Sequence, residues 1–130
     1  MLNWFTKCNI NKKTMEIGKK LKQKGYKIYI LSNMSKATFE YFSKKYEFFS
    51  MVDGEIVSAY EGIKKPDSKI FELLLERYSL NAEECLLIDD DDTNKTLEVA
   101  NFIGINGRRV NSNDSDDVIE LLKENNIEIR

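Results

Sequence analysis

The sequence predicts an α/β protein, a three-layer parallel sheet of Rossmann-like form with helices on both faces. Three observations carry that expectation. Short apolar runs of strand length, YKIYIL at 26–31 and CLLI at 85–88, alternate with longer stretches whose apolar residues recur at helical spacing. Gly25 and Gly104 stand just past two of those helical stretches, where a left-handed cap ends a helix. The chain has 130 residues, 42% of them hydrophobic, which suits one domain burying roughly two thirds of its unfolded surface.

Each element follows from local pattern. Lys13–Lys24 reads as a helix with Ile17 and Leu21 four apart on one face. Tyr26–Leu31 is a strand. Ser35 is a fitting N-cap for a second helix carrying Phe39, Phe42 and Tyr46. Asp53-Gly54 marks a turn and Glu55–Ser58 a short strand. Pro66, the only proline, precedes a third helical pattern (Ile70, Phe71, Leu74, Leu75, Tyr78), with Asp67 or Ser68 as cap. Cys85–Ile88 is a buried strand, Thr93–Ile103 a helix, Asn106–Val110 a strand, and Asp116–Asn125 a last helix with acids in its first turn, which complement the helix dipole. Alternating units of this kind place helices on both faces of a parallel sheet, and ligands then sit at the C-terminal ends of the strands.

Composition narrows the chemistry. The net charge of −2 gives no electrostatic footprint for nucleic acid. No apolar run approaches the ~20 residues that span a bilayer, and the lysine-rich first helix, whose apolar stripe is narrow and lacks Trp, reads as a solvated face rather than a membrane surface. MLNWFTKCN lacks the layout of a secretory signal. Two cysteines far apart, Cys8 and Cys85, make no disulfide framework, so a reducing cytoplasm is expected. With no histidine, Ser-His and Cys-His nucleophile pairs and histidine metal sites are excluded. Catalysis would rest on carboxylates, Lys, Ser/Thr or backbone.

Three strand ends hold candidate chemistry. After YKIYIL come Ser32 and Asn33, a hydroxyl and a following N–H able to donate to an anionic oxygen; taken alone, Ser32 reads as a turn cap. Lys65 precedes Pro66, which biases it to an extended backbone, and its ammonium is either a phosphate-directed point charge or an exposed surface lysine. After CLLI come Asp89 to Asp92, then Thr93 and Asn94. Asp90 in a loop and Asn94 in a first helical turn would offer a hard cation such as Mg²⁺ the oxygen donors it prefers. A solvated cap needs one or two acids, not four. Asp89, Asp91 and Thr93 also spell D-x-D-x-T, a nucleophile loop.

In order, ILSN at 30–33, KKPDSKIF at 64–71 and LLIDDDDTN at 86–94 followed by EVANFIGI resemble the motifs of the haloacid dehalogenase superfamily of phosphatases and phosphotransferases, over about residues 10–110. The resemblance implies that Ser32 and the amide of Asn33 bind the transferred phosphoryl group. It implies that Lys65 neutralises phosphate charge and steadies the nucleophile, and that Asp90 is the Mg²⁺ ligand, with Asn94 in support and Asp89 beside it. Ser68 stands where the family frequently has proline. In the family a D-x-D-x-T nucleophile loop comes before the other motifs; here the acidic run comes last, so the metal-motif reading is preferred.

The same resemblance exposes a gap. Nothing before Ser32 supplies an apolar strand ending in Asp-x-Asp, and the strand that carries it in the family is central. Residues 1–9 read instead as the remnant of a helical cap, 10–110 as the core motifs and 111–130 as a C-terminal helix and tail. The expectation is a Mg²⁺-dependent phosphatase of small phosphorylated metabolites, poorly active or inactive in this chain. The alternative is a non-catalytic domain that binds phosphate, a metal or a protein. A vacant central position would leave facing strand edges for a homodimer or a strand-completing partner. No nucleic-acid or membrane partner is expected.

Overall fold

The computed structural model describes residues 3–6, 12–63, 67–89, 95–110 and 115–125. Five parallel strands form one sheet in the order β3-β2-β1-β4-β5, where β1 is Asn3–Thr6, β2 Lys27–Ser32, β3 Gly54–Val57, β4 Cys85–Asp89 and β5 Asn106–Arg109. The helices are α1 (Lys12–Gln23), α2 (Lys36–Lys45), α3 (Phe48–Met51), α4 (Ser58–Glu61), α5 (Ser68–Arg77), α6 (Lys95–Ile103) and α7 (Ser115–Glu124), with a 3-10 turn at Ala82–Glu84.

The three layers follow from the pleat. Successive strand side chains alternate in direction, so Ile28, Ile30, Leu86 and Ile88 pack with Leu21 of α1, Phe48 of α3 and Leu122 of α7. Tyr29, Leu31, Cys85 and Leu87 face the other way, against Phe71 and Leu74 of α5 and Leu97 of α6. Strands buried on both faces read as continuous apolar runs, and β4 is buried along its whole length.

Local signals act as their residue types dictate. Ser35 caps α2, its Oγ accepting from the Thr38 N–H at 3.2 Å, and Asp67 caps α5 by accepting from the Lys69 N–H at 3.0 Å. Gly25 takes a φ of 94° and closes α1, with the Tyr26 N–H donating back to the Leu21 carbonyl at 3.0 Å. Gly104 ends α6 in the same way at φ 109°. Two elements differ from expectation. Ser58 begins α4 rather than ending a strand, and Phe48–Met51 forms a one-turn helix because its two phenylalanines are pulled into the core.

The principal correction concerns the sheet's centre. The central strand expected to be missing is present: Asn3–Thr6, read from sequence as cap remnant, lies between β2 and β4. Phe5 is level with both Tyr29 and Leu87. Four residues with polar ends give almost no strand signal by themselves. Their reason for extending is tertiary, since β2 and β4 each present a row of N–H and C=O groups that an intervening strand satisfies. The facing edges expected to recruit a partner chain are therefore paired within this chain.

Candidate active site at the C-terminal rim of the sheet

In a parallel sheet every strand ends at the same rim, so the β-to-α connections collect there. Ser32 closes β2 and Asp89 closes β4, one on each side of β1. Two interstrand spacings separate them laterally, roughly 10 Å. Both are buried, Ser32 at 3% and Asp89 at 2% relative exposure. The other buried polar side chains among the described residues are Ser58, directly after β3, and Thr96, in the first turn of α6 after β4. All four lie at this rim. Burying a polar group costs free energy unless it is paired, so a fold optimised only for stability would not concentrate them at one end of an otherwise apolar sheet.

Ser32 Oγ accepts from the Met34 N–H at 3.2 Å, the turn-capping contact that the dipeptide alone suggests. That bond uses an acceptor lone pair and leaves the hydroxyl proton available to an anionic oxygen. Asn33 follows at the surface and, like Asp89 and Thr96, is engaged in a polar interaction. The Ser58 hydroxyl has no hydrogen-bond partner among the described residues. Sequence reasoning passed over Ser58 and Thr96, since a lone serine or threonine at an element boundary reads as a cap; only their burial marks them.

Lys65, Asp90 and Asn94 lie outside the described residues. The residues that bracket them are described: Ile63 and the α5 cap Asp67 for Lys65, Asp89 at the end of β4 and Lys95 at the start of α6 for the acidic run. Among the described residues no group of three or more Cys, Asp or Glu side chains stands together as a metal site. The described part of the rim contributes one buried carboxylate, Asp89. A carboxylate oxygen is the donor type that a hard divalent cation takes.

The chain matches the haloacid dehalogenase-like hydrolase family over residues 3–96, from β1 into α6. The chain belongs to that family. Its match to the sesquiterpene phosphatase astK of Aspergillus oryzae is 29% identical over 72 residues, 55% of this chain and 37% of that protein. The chain thus spans little more than a third of that relative. An uncharacterised protein from Corynebacterium glutamicum has the same fold over 100% of this chain and 98% of its own, at a TM-score of 0.79 and 19% identity. A haloacid dehalogenase-family enzyme from Bacteroides thetaiotaomicron, solved with magnesium and inorganic phosphate, superposes at a TM-score of 0.67 and 21% identity, covering 78% of this chain and 54% of the enzyme.

Family membership sharpens the significance of β1. The strand holds the central position of the sheet, and no Asp or Glu occurs in the sequence before Glu16. In this haloacid dehalogenase-like chain Asn3–Thr6 fills the centre of the sheet, paired on both sides. No helix among the described residues is long and apolar enough to cross a membrane.

Proposed function

We propose that this chain binds a small phosphorylated molecule together with Mg²⁺ at the C-terminal rim of the sheet, and that on its own it hydrolyses such a molecule poorly or not at all. The observation that carries the binding half is the gathering of Ser32, Ser58, Asp89 and Thr96, buried, at one rim. The absence of any carboxylate ahead of Glu16 carries the catalytic half.

In this reading the Ser32 hydroxyl donates to a phosphoryl oxygen while its own oxygen keeps the Met34 N–H, and the Asn33 amide lies beside it. Lys65 lowers the charge of the bound phosphate as a point cation. Asp90, with Asp89 and Asn94, holds the Mg²⁺ through oxygen donors. The metal, when bound, offsets negative charge on the phosphoryl group as a Lewis acid. Covalent phosphoryl transfer needs a nucleophile as well, and residues 1–15 offer no carboxylate to become an aspartyl-phosphate. A longer gene product with an apolar strand ending in Asp-x-Asp would be the whole enzyme, and that strand would have to displace Asn3–Thr6 from the sheet. The similarity to the Aspergillus sesquiterpene phosphatase, and the phosphate and magnesium of the Bacteroides enzyme, support the ligand class. A reducing cytoplasm fits the same reading.

Calorimetric titration of inorganic phosphate, with and without Mg²⁺, tests the proposal on the natural chain and on Asp90→Ala. The expected result is Mg²⁺-dependent phosphate binding that weakens by about tenfold or more in the variant, with p-nitrophenyl phosphate turnover near that of buffer. Equal, negligible binding in both proteins would remove the ligand-binding function, and brisk turnover by the natural chain would remove the missing-nucleophile argument.

A further inference from the structure

With β1 in place, the open backbone of the sheet among the described residues is confined to its two outer strands, β3 and β5. Each has four residues and, among the described residues, is paired on one side only. About half the residues of such a strand turn their N–H and C=O groups outward, where another chain can pair with them.

At β3, a single hydroxyl occupies both groups of one residue. The Glu55 N–H donates to Tyr78 Oη at 2.9 Å, and Tyr78 Oη donates to the Glu55 carbonyl at 3.2 Å. The ring reaches this position because residue 54 is glycine: a Cβ on Gly54 would run into the Tyr78 ring. The Tyr29 ring, 5.0 Å away between centroids, supports the tyrosine from the sheet side.

At β5, an amide does the same. Asn101 of α6 accepts from the Gly107 N–H at 2.9 Å through Oδ1 and donates to the Gly107 carbonyl at 3.4 Å through Nδ2. The Val110 N–H bonds to the Asp89 carbonyl of β4. By the alternation of a parallel ladder, the groups of Gly107 therefore point away from β4. Residue 107 again lacks a side chain where the capping group approaches, a Cβ there coming within 3.2 Å of Asn101 Nδ2.

The two ends of the sheet thus share a device built from unrelated parts. One polar side chain, from the C-cap of α5 or from within α6, bridges both backbone groups of one edge residue at or beside a glycine in the edge strand. We propose that Tyr78 and Asn101 are edge seals which keep a second copy of this chain from adding a strand to β3 or β5. An edge strand this short, with one outward residue already bonded, retains too few free groups to start an intermolecular ladder. Removing a seal exposes the missing pair and turns the edge into a docking strand for another copy.

Tyr78→Phe keeps the ring and deletes only the bridging oxygen; Asn101→Ala opens the opposite edge. Sedimentation equilibrium across a wide concentration range is expected to show a monomer for the natural chain. Each variant should self-associate roughly tenfold or more tightly, and the double variant should form open-ended oligomers. Adding Glu55→Pro to Tyr78→Phe removes the newly exposed N–H, and should return that edge to the natural chain's behaviour although it restores no stability. The Asn101 arm stands even if Tyr78→Phe fails to fold. Variants that stay folded and monomeric over the whole range would overturn the proposal. So would association that persists in the proline variant, because it would come from general exposure of the core rather than from a strand edge.

Discussion

Strand β1 and the two strands that flank it differ in what they bring to the same rim. β2 and β4 are apolar runs that end in a buried hydroxyl and a buried carboxylate, Ser32 and Asp89. β1 lies between them with matching register and runs into Lys7, Cys8 and Asn9, with no acid before Glu16. The comparison separates two requirements that a family's sequence pattern usually joins. Completing the sheet needs only a short extended segment with backbone groups to share. Performing covalent phosphoryl transfer needs one particular side chain at that segment's end. This chain meets the first with Asn3–Thr6; the second is what the proposed function turns on.

The largest effect should come from breaking the scaffold half of that comparison. Phe5→Pro removes a backbone donor from the centre of the sheet and is expected to cost about 3 kcal/mol or more. Leu87→Ala in β4, at 0% exposure, is expected to cost about 2–5 kcal/mol. Urea unfolding monitored by circular dichroism measures both. Comparable losses mean that β1 is as integral as its neighbour, whereas a harmless Phe5→Pro would take it out of the sheet.

Restoring chemistry sharpens the other half. Asp introduced singly at Lys7, Cys8 and Asn9 replaces the residues that follow β1. One of the three is expected to raise Mg²⁺-dependent p-nitrophenyl phosphate turnover at least tenfold over the natural chain. The same gain in a background carrying Ser32→Ala would show that the new carboxylate is not working with this rim.

The smallest effect lies at the sheet's far edge. Burial raises the Glu55 carboxyl above its ordinary value. A carboxyl with a raised folded-state pKa contributes stability that is fully present below its unfolded value and lost as pH rises through the folded one. Glu55→Gln, neutral at every pH, should therefore be slightly more stable than the natural chain at neutral pH. That advantage should vanish under acid. Urea midpoints across the acid range give the answer, and an advantage that grows on acidification would contradict the burial argument. Solvent near this half-buried group keeps the expected gain small.

How much of this was legible beforehand depended on how local each signal is. Caps such as Ser35, Asp67 and Gly25 act within a few residues, so their chemistry is written in adjacent letters. The apolar runs at 26–31 and 85–88 are long enough to declare buried strands. Asp53 reads locally as a turn residue, but its carboxylate also accepts from the Ile28 N–H at 2.8 Å and pairs with Lys22 across the layers. Those partners lie 25 and 31 positions away, beyond any local pattern. A comparable distance hides the Tyr78 seal, 23 positions from Glu55. Asn101 is only six positions from Gly107, and is hidden because the turn that brings α6 back against β5 is not written in either residue alone.

By itself, the sequence determined the alternating α/β class, the order of the rim motifs, the absence of histidine chemistry and the absence of a carboxylate ahead of Glu16, because each of these is a property of residue type and spacing. Only the tertiary structure decided that Asn3–Thr6 is a strand, that four polar side chains are buried at one rim, and that the outer edges are capped. A four-residue polar-ended segment has no intrinsic reason to extend. It does so because two finished strands, assembled from residues far along the chain, leave paired rows of donors and acceptors that its backbone completes.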